Sequence, residues 1–151
     1  MSTYSEPSRG KIVVGVDGSA SSQQALRWAA RQARLTGEEL HAVSCWDYPT
    51  GVGWSPVLEE LDWAGSARKA LDDAVTASLH PDDADRVQRS VVRGYPARAL
   101  LDAAAEADLL VVGSRGRGGM VGMLLGSVSQ HVVTNAHCPV VVVREEPGTP
   151  A

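Results

Sequence analysis

The sequence predicts an α/β domain built on a parallel sheet, and three observations carry that prediction. Short β-branched runs alternate with longer segments of helical period, the pattern of βαβ units. One run, Leu109-Leu110-Val111-Val112, is apolar throughout, as a strand covered on both faces is. A glycine-dense segment then joins that run to the next helical stretch. With 151 residues, 44% of them hydrophobic and 21% charged, the chain has room for one core and the composition of an ordinary globular domain. Residues 1–10 and 146–151, rich in Ser, Pro, Gly and Thr, read as disordered tails around a single domain over 11–145.

The first strand is Ile12-Val13-Val14-Gly15-Val16-Asp17. Gly18-Ser19-Ala20-Ser21 follows, with serines able to cap a helix over about Ser21 to Leu35. In that helix Ala25, Leu26, Ala29, Ala30 and Ala33 share one stripe, and Gly37 stops it. The second strand is Leu40 to Trp46. From Pro56 to Leu79 the positions Val57, Leu61, Ala64, Leu71, Val75 and Ser78 recur at helical spacing, which predicts one long helix closed by His80-Pro81. Gly65 is expected to cost that helix about 1 kcal/mol relative to alanine. The third strand, Val87 to Arg93, mixes polar and apolar residues as an edge strand does. Gly94-Tyr95-Pro96 turns into a helix through about Ala105. Leu109 to Val112 is the central fourth strand, and a short helix through about Thr134 and a fifth strand, Val140 to Val143, complete the domain.

Several function classes are disfavoured by composition. The net charge is −4, from 18 acids against 14 bases, so no long-range field draws in nucleic acid or anionic lipid. No apolar stretch approaches the roughly 18 residues of a membrane span. The polar start carries no secretory leader and the two cysteines, Cys45 and Cys138, form no CxxC pair, so a cytoplasmic location is expected and a metal cage is not.

Between Gly113 and Gly126, six of fourteen residues are glycine, a density that costs folding entropy. One reading is a flexible surface crossover. The other uses position: the segment begins where a buried strand ends and finishes where a helix starts, the place where open α/β sheets bind ligands. Absent side chains let backbone amides approach an anion, and the helix start at Gly126-Ser127 adds unpaired N–H groups and a favourable dipole. Four to six charge-assisted hydrogen bonds at roughly 1.5–3 kcal/mol each, less about 4–15 kcal/mol for association, are consistent with micromolar binding of a phosphate ligand. The common motifs do not fit. No lysine lies between Gly113 and Ser127, so there is no Walker loop. Gly116 and Gly118 are followed by Val121 where a dinucleotide fingerprint needs its third glycine, and no GxSxG frames a nucleophile. What remains is G-x2-G-x9-G-S, at Gly113, Gly116, Gly126 and Ser127.

On these residues the sequence resembles the nucleotide-binding branch of the universal stress protein family, over about residues 11–144. Ile12 through Ser19 is similar to that family's opening strand and turn, and Gly94-Tyr95-Pro96-Ala97 to its third strand-to-helix turn. Asp108 through Ser127 matches the fourth strand and glycine motif, and Cys138 through Val143 the closing strand. The resemblance implies a Rossmann-like five-stranded parallel sheet in the order 3-2-1-4-5, with helices on both faces, ATP at its carboxyl edge and a homodimer. It implies that Asp17 and the backbone near Gly15 face the adenosine, that the backbone at Cys45 meets the adenine, and that Gly113 lies near ribose and phosphates. Gly116, Gly126 and Ser127 would cradle the phosphates, flanked by Ser114, Arg115, Arg117, Gly118, Gly119 and Val128.

Taken singly, Asp17 reads either as a turn aspartate or as an acceptor for a base or ribose hydroxyl, and Arg115 and Arg117 either as solvated or as phosphate partners. Two arginines without a Walker lysine do not balance a triphosphate, so Mg²⁺ is expected with the nucleotide. The implied strand order puts Val140–Val143 at a sheet edge, where pairing with a second copy would cover an apolar ladder. The expected role is a nucleotide-dependent stress or regulatory protein, since the interval Gly113–Ser127 holds no carboxylate, histidine or lysine to orient a nucleophile. The alternatives are a slow ATPase or phosphotransfer enzyme, and a scaffold that binds AMP, a cyclic nucleotide or nothing.

Overall fold

A computed structural model of the chain describes residues 10–48, 60–116 and 124–145. Its strands are β1 (Lys11–Gly15), β2 (Glu39–Trp46), β3 (Gln88–Arg93), β4 (Leu109–Gly113) and β5 (Val140–Val143). Its helices are α1 (Ala20–Thr36), α2 (Trp63–Ser78), α3 (Pro81–Arg86), α4 (Pro96–Ala103) and α5 (Ser127–Asn135). The five strands form one all-parallel sheet in the order β3-β2-β1-β4-β5, as expected. β1 and β4 pair at the centre, with Val13 opposite Leu110 and Val14 opposite Val111. The chain reverses its direction of travel across the sheet between these two strands, and their carboxyl ends therefore open a crevice.

The period-2 alternation of the strands divides the core. Ile12, Val14 and Val111 face α1, α2 and α3, meeting Leu26, Ala29, Leu71 and Val75. Val13, Leu110 and Val112 face α4 and α5, meeting Ala97, Leu100 and Val132. Each of the valine, leucine and isoleucine side chains among these, when fully buried, contributes about 1.5–3 kcal/mol. Burial on both faces is why Leu109–Val112 reads as a continuous apolar run. α1 begins where the Ser19 hydroxyl accepts from the Ser22 amide and ends at Gly37, whose φ of 78° is left-handed and whose N–H donates to Ala33 O at 2.8 Å.

Two expectations need correction. The stretch from Pro56 to Leu79 is not one helix: at Leu61-Asp62 the backbone is not helical, and Leu61 is 52% exposed. The Asp62 carboxylate instead accepts from the Gly65 amide at 2.9 Å and starts α2 afresh. A methyl on Gly65 would stand 2.1 Å from Asp62 Oδ2, so the glycine that seemed a cost to a helix interior makes room for a cap. Second, Pro81 opens a helix as well as closing one. It occupies the first position of α3, His80 Nδ1 accepts from the Asp82 amide at 3.3 Å, and Asp82 and Asp83 sit in the first turn. Val57 and the remainder of 49–59 lie outside the described residues, as do the expected tails apart from Gly10.

Candidate functional site

The crevice at the carboxyl ends of β1 and β4 is a cleft of about 320 Å³, within the size range of small-molecule sites. One wall is apolar: Val16, Val43, Leu100 and Val112, with the Cys45 thiol beside them. The opposite side is backbone and small side chains: Gly15, Asp17 and Ser22 after β1, Gly113, Arg115 and Gly116 after β4, and Gly126, Ser127, Val128 and Ser129 at the start of α5. Ten of the thirteen residues expected at the site are described, and nine of them line this one cleft. The tenth, Ser114, is buried just behind it: its N–H donates to Val143 O at 2.8 Å and its carbonyl accepts from the Gly126 amide at 2.7 Å. Arg117, Gly118 and Gly119 lie outside the described residues.

The glycines have different reasons to be glycine. A methyl on Gly113 would stand 2.7 Å from the Ser21 carbonyl carbon and 2.8 Å from the Ser22 nitrogen, so this position is set by the close approach of α1. A methyl on Gly126 would meet the Gly116 nitrogen at 3.3 Å, and one on Gly116 would meet Asp17 Oδ2 at 2.9 Å. Gly116 and Gly126 thus bring two backbone segments together beside one carboxylate. α5 begins at Gly126 with no side-chain cap, which leaves its first amides for another acceptor.

Asp17 is exposed and its Oδ1 accepts from the Ser19 amide at 2.9 Å and from the Ser19 hydroxyl. The turn role does not exhaust the carboxylate, which has about four lone-pair directions. Arg115 is exposed and forms no ion pair among the described residues. Burial pushes the Cys45 thiol up to about 11, so it meets a ligand as a neutral, weakly polar surface. Among the described residues no three His, Cys, Asp or Glu side chains gather into a metal site.

Sequence reasoning overlooked part of this site. Val43 shares its strand face with Cys45, so the period of two could have found it. Ser129, whose hydroxyl donates to Gly113 O at 2.6 Å, and Ser21 carried no such signal.

Against known proteins, the sequence profile described as the universal stress protein family matches residues 8–144. A universal stress protein of Mycolicibacterium smegmatis is 43% identical over 141 residues, covering 91% of this chain and 46% of that protein. One from Mycobacterium tuberculosis is 37% identical over 149 residues, covering 95% and 48%. The chain therefore spans about half the length of the curated relatives it matches. Among solved structures, a universal stress protein of Lactobacillus plantarum superposes with a TM-score of 0.74 at 28% identity, covering 91% of this chain and all of that one. A second, described as in complex with cAMP, superposes with a TM-score of 0.61 at 31% identity over 93% of this chain and all of that one.

Proposed function

This chain belongs to the universal stress protein family, and from that premise we propose that it binds an adenine nucleotide, ATP with Mg²⁺, in the carboxyl-edge cleft and acts as a nucleotide-dependent regulatory protein. One observation carries the reading: Gly116 and Gly126 approach closely beside Asp17 at the uncapped start of α5, in a cleft whose other wall is apolar. That pairing suits a ligand with a flat apolar base and a polyanionic tail. The base lies against Val43, Cys45 and Leu100, a ribose hydroxyl donates to Asp17, and the phosphates take the amides of Gly116, Ser127 and Val128, with Arg115 and Arg117 as counter-charges. Mg²⁺ needs no protein cage, because it binds through phosphate oxygens, water and at most a carboxylate such as Asp17.

The output of such a protein is a change of surface, and the fold supplies a connection. Ser114 holds Gly126 on one side and Val143 on the other, so the cleft and β5 share a residue. β5 pairs with β4 along one edge, and its four valines are half-buried. In this proposal the free edge of β5 joins the same strand of a second copy. The two free cysteines suit a reducing, cytoplasmic setting, and among the described residues no helix is long and apolar enough to cross a membrane.

A second reading, cyclic AMP as the ligand, is favoured by the cAMP-bound relative. Denaturing the purified protein, identifying released small molecules and titrating ATP·Mg and cAMP by calorimetry separates the two. The expected results are a released adenine nucleotide and a micromolar Kd for ATP·Mg. Gly126→Ala should weaken that Kd at least about tenfold while the protein stays folded, because its methyl crowds the amides rather than the core. No release and no binding by the native chain would refute the proposal.

A further inference from the structure

The N-terminal serines of α1 do more than begin a helix. Ser21 is wholly buried, and its hydroxyl reaches across 94 positions of sequence to Arg115: it donates to the Arg115 carbonyl and accepts from the Arg115 amide at 3.3 Å. The Ser19 hydroxyl lies 3.2 Å from the same carbonyl. Every peptide in the described chain is trans, so a carbonyl and the N–H that follows it point in opposite directions. With the Arg115 carbonyl held against α1, the Gly116 amide faces away from α1. It has no acceptor among the described residues, and Gly116 lines the cleft.

A hydroxyl has one proton to give. Ser19 Oγ accepts from the Ser22 amide and has two acceptors within reach, Asp17 Oδ1 and Arg115 O. Its proton therefore serves Asp17 or the glycine segment, and the two ends of the cleft share one small network. Ser21 donates to Arg115 whichever Ser19 chooses.

Resting on the nucleotide-binding reading above, the geometry points to Ser21 as a positioning residue for the phosphate end of the site. It orients the Arg115–Gly116 peptide so that the Gly116 amide is presented to the polyanion, while adenosine recognition at Asp17 and the apolar wall stands without it. Ser21 touches no ligand in this account; it acts through Arg115 and Gly116.

The test is the affinity of the full chain for adenosine, AMP and ATP·Mg, measured by calorimetry for the native protein, Ser21→Ala and Ser19→Ala. Ser21→Ala is expected to leave the adenosine Kd within about twofold and to weaken ATP·Mg about tenfold, so that the loss grows with phosphate number. Ser19→Ala, at a half-buried cap, removes a donor from Asp17 as well as from the Arg115 carbonyl, so it should weaken adenosine and ATP·Mg together but ATP·Mg about threefold more, and that extra loss carries the test if Ser21→Ala does not fold. Equal weakening of all three ligands, or no change in any, would overturn the inference while leaving nucleotide binding intact. A native protein that binds none of the three would overturn the nucleotide-binding reading, and this inference with it.

Discussion

The two ends of the sheet carry concavities of opposite character, and the larger one is the poorer candidate. At the amino edge a groove of about 650 Å³ lies between the end of α1 and α3, lined by Arg34, Asp83, Arg86, Glu38 and Glu39. Its polar groups are largely charged side chains of both signs, and Arg34 sits 3.6 Å from Asp83 in the last turn of α1. At the carboxyl edge the cleft has half that volume, yet its polar groups are mainly backbone amides and small hydroxyls, around one carboxylate, Asp17, and one guanidinium, Arg115. The difference follows from topology. In a parallel sheet the long crossover helices begin near the carboxyl edge and end near the amino edge, so their positive ends gather at one and their negative ends at the other; the short α3, whose first turn brings Asp83 to the groove, is the exception. In the proposed reading the direction of the helices, rather than volume, selects the site.

The largest effect that would break this contrast is on the fold itself. Gly113→Ala drives a methyl into α1 backbone and should destabilise the protein by about 2 kcal/mol or more, a fall in Tm of roughly 5–8 °C by calorimetry. If Gly113→Ala is as stable as the native chain, the close packing of α1 on β4 that shapes the cleft is wrong. Gly126→Ala, by contrast, should cost affinity and little stability.

This pair of glycines also shows how far the sequence could be read. The spacing Gly113, Gly116, Gly126, Ser127 was enough to pick out residues that the fold gathers at one cleft at the end of β4, because local pattern and sheet topology agree there. It did not distinguish a glycine required by α1 from one required by amides, since that depends on Ser21, 92 positions before Gly113. The same limit hid Ser129 behind Gly113 and made Asp62 look like one more residue of a continuous helical period. The strands, and which of them lies at an edge or inside, were legible through burial on one face or two, whereas their full order came from the family resemblance; caps and long-range clips depend on which side chains meet in space.

A smaller effect sharpens the contrast through the cysteines, one at each end. Cys45 lines the carboxyl cleft, whereas Cys138 precedes β5 at the amino edge. Burial raises both thiols, Cys45 to about 11 from an ordinary 9.0. Below about pH 9 Cys45 is protonated whether folded or not, and its burial then favours the fold. As pH rises from 9 toward 11 the unfolded thiol ionises first, so that contribution declines. Iodoacetamide rates followed by mass spectrometry should therefore keep climbing for Cys45 to about pH 11. At pH 8, ATP·Mg should slow alkylation of Cys45 severalfold and leave Cys138 unchanged. Equal protection of both would place the ligand elsewhere.

The most direct measurement is a ¹⁵N–¹H correlation spectrum of the chain titrated with ATP·Mg. The expected result is saturable shifts at the amides of Gly15, Asp17, Gly116 and Gly126 through Val128, with Arg34 through Glu39 at the amino edge unmoved. Shifts confined to the amino-edge groove, or no saturable shift at Gly116 and Gly126, would contradict the claim that helix direction selects the site.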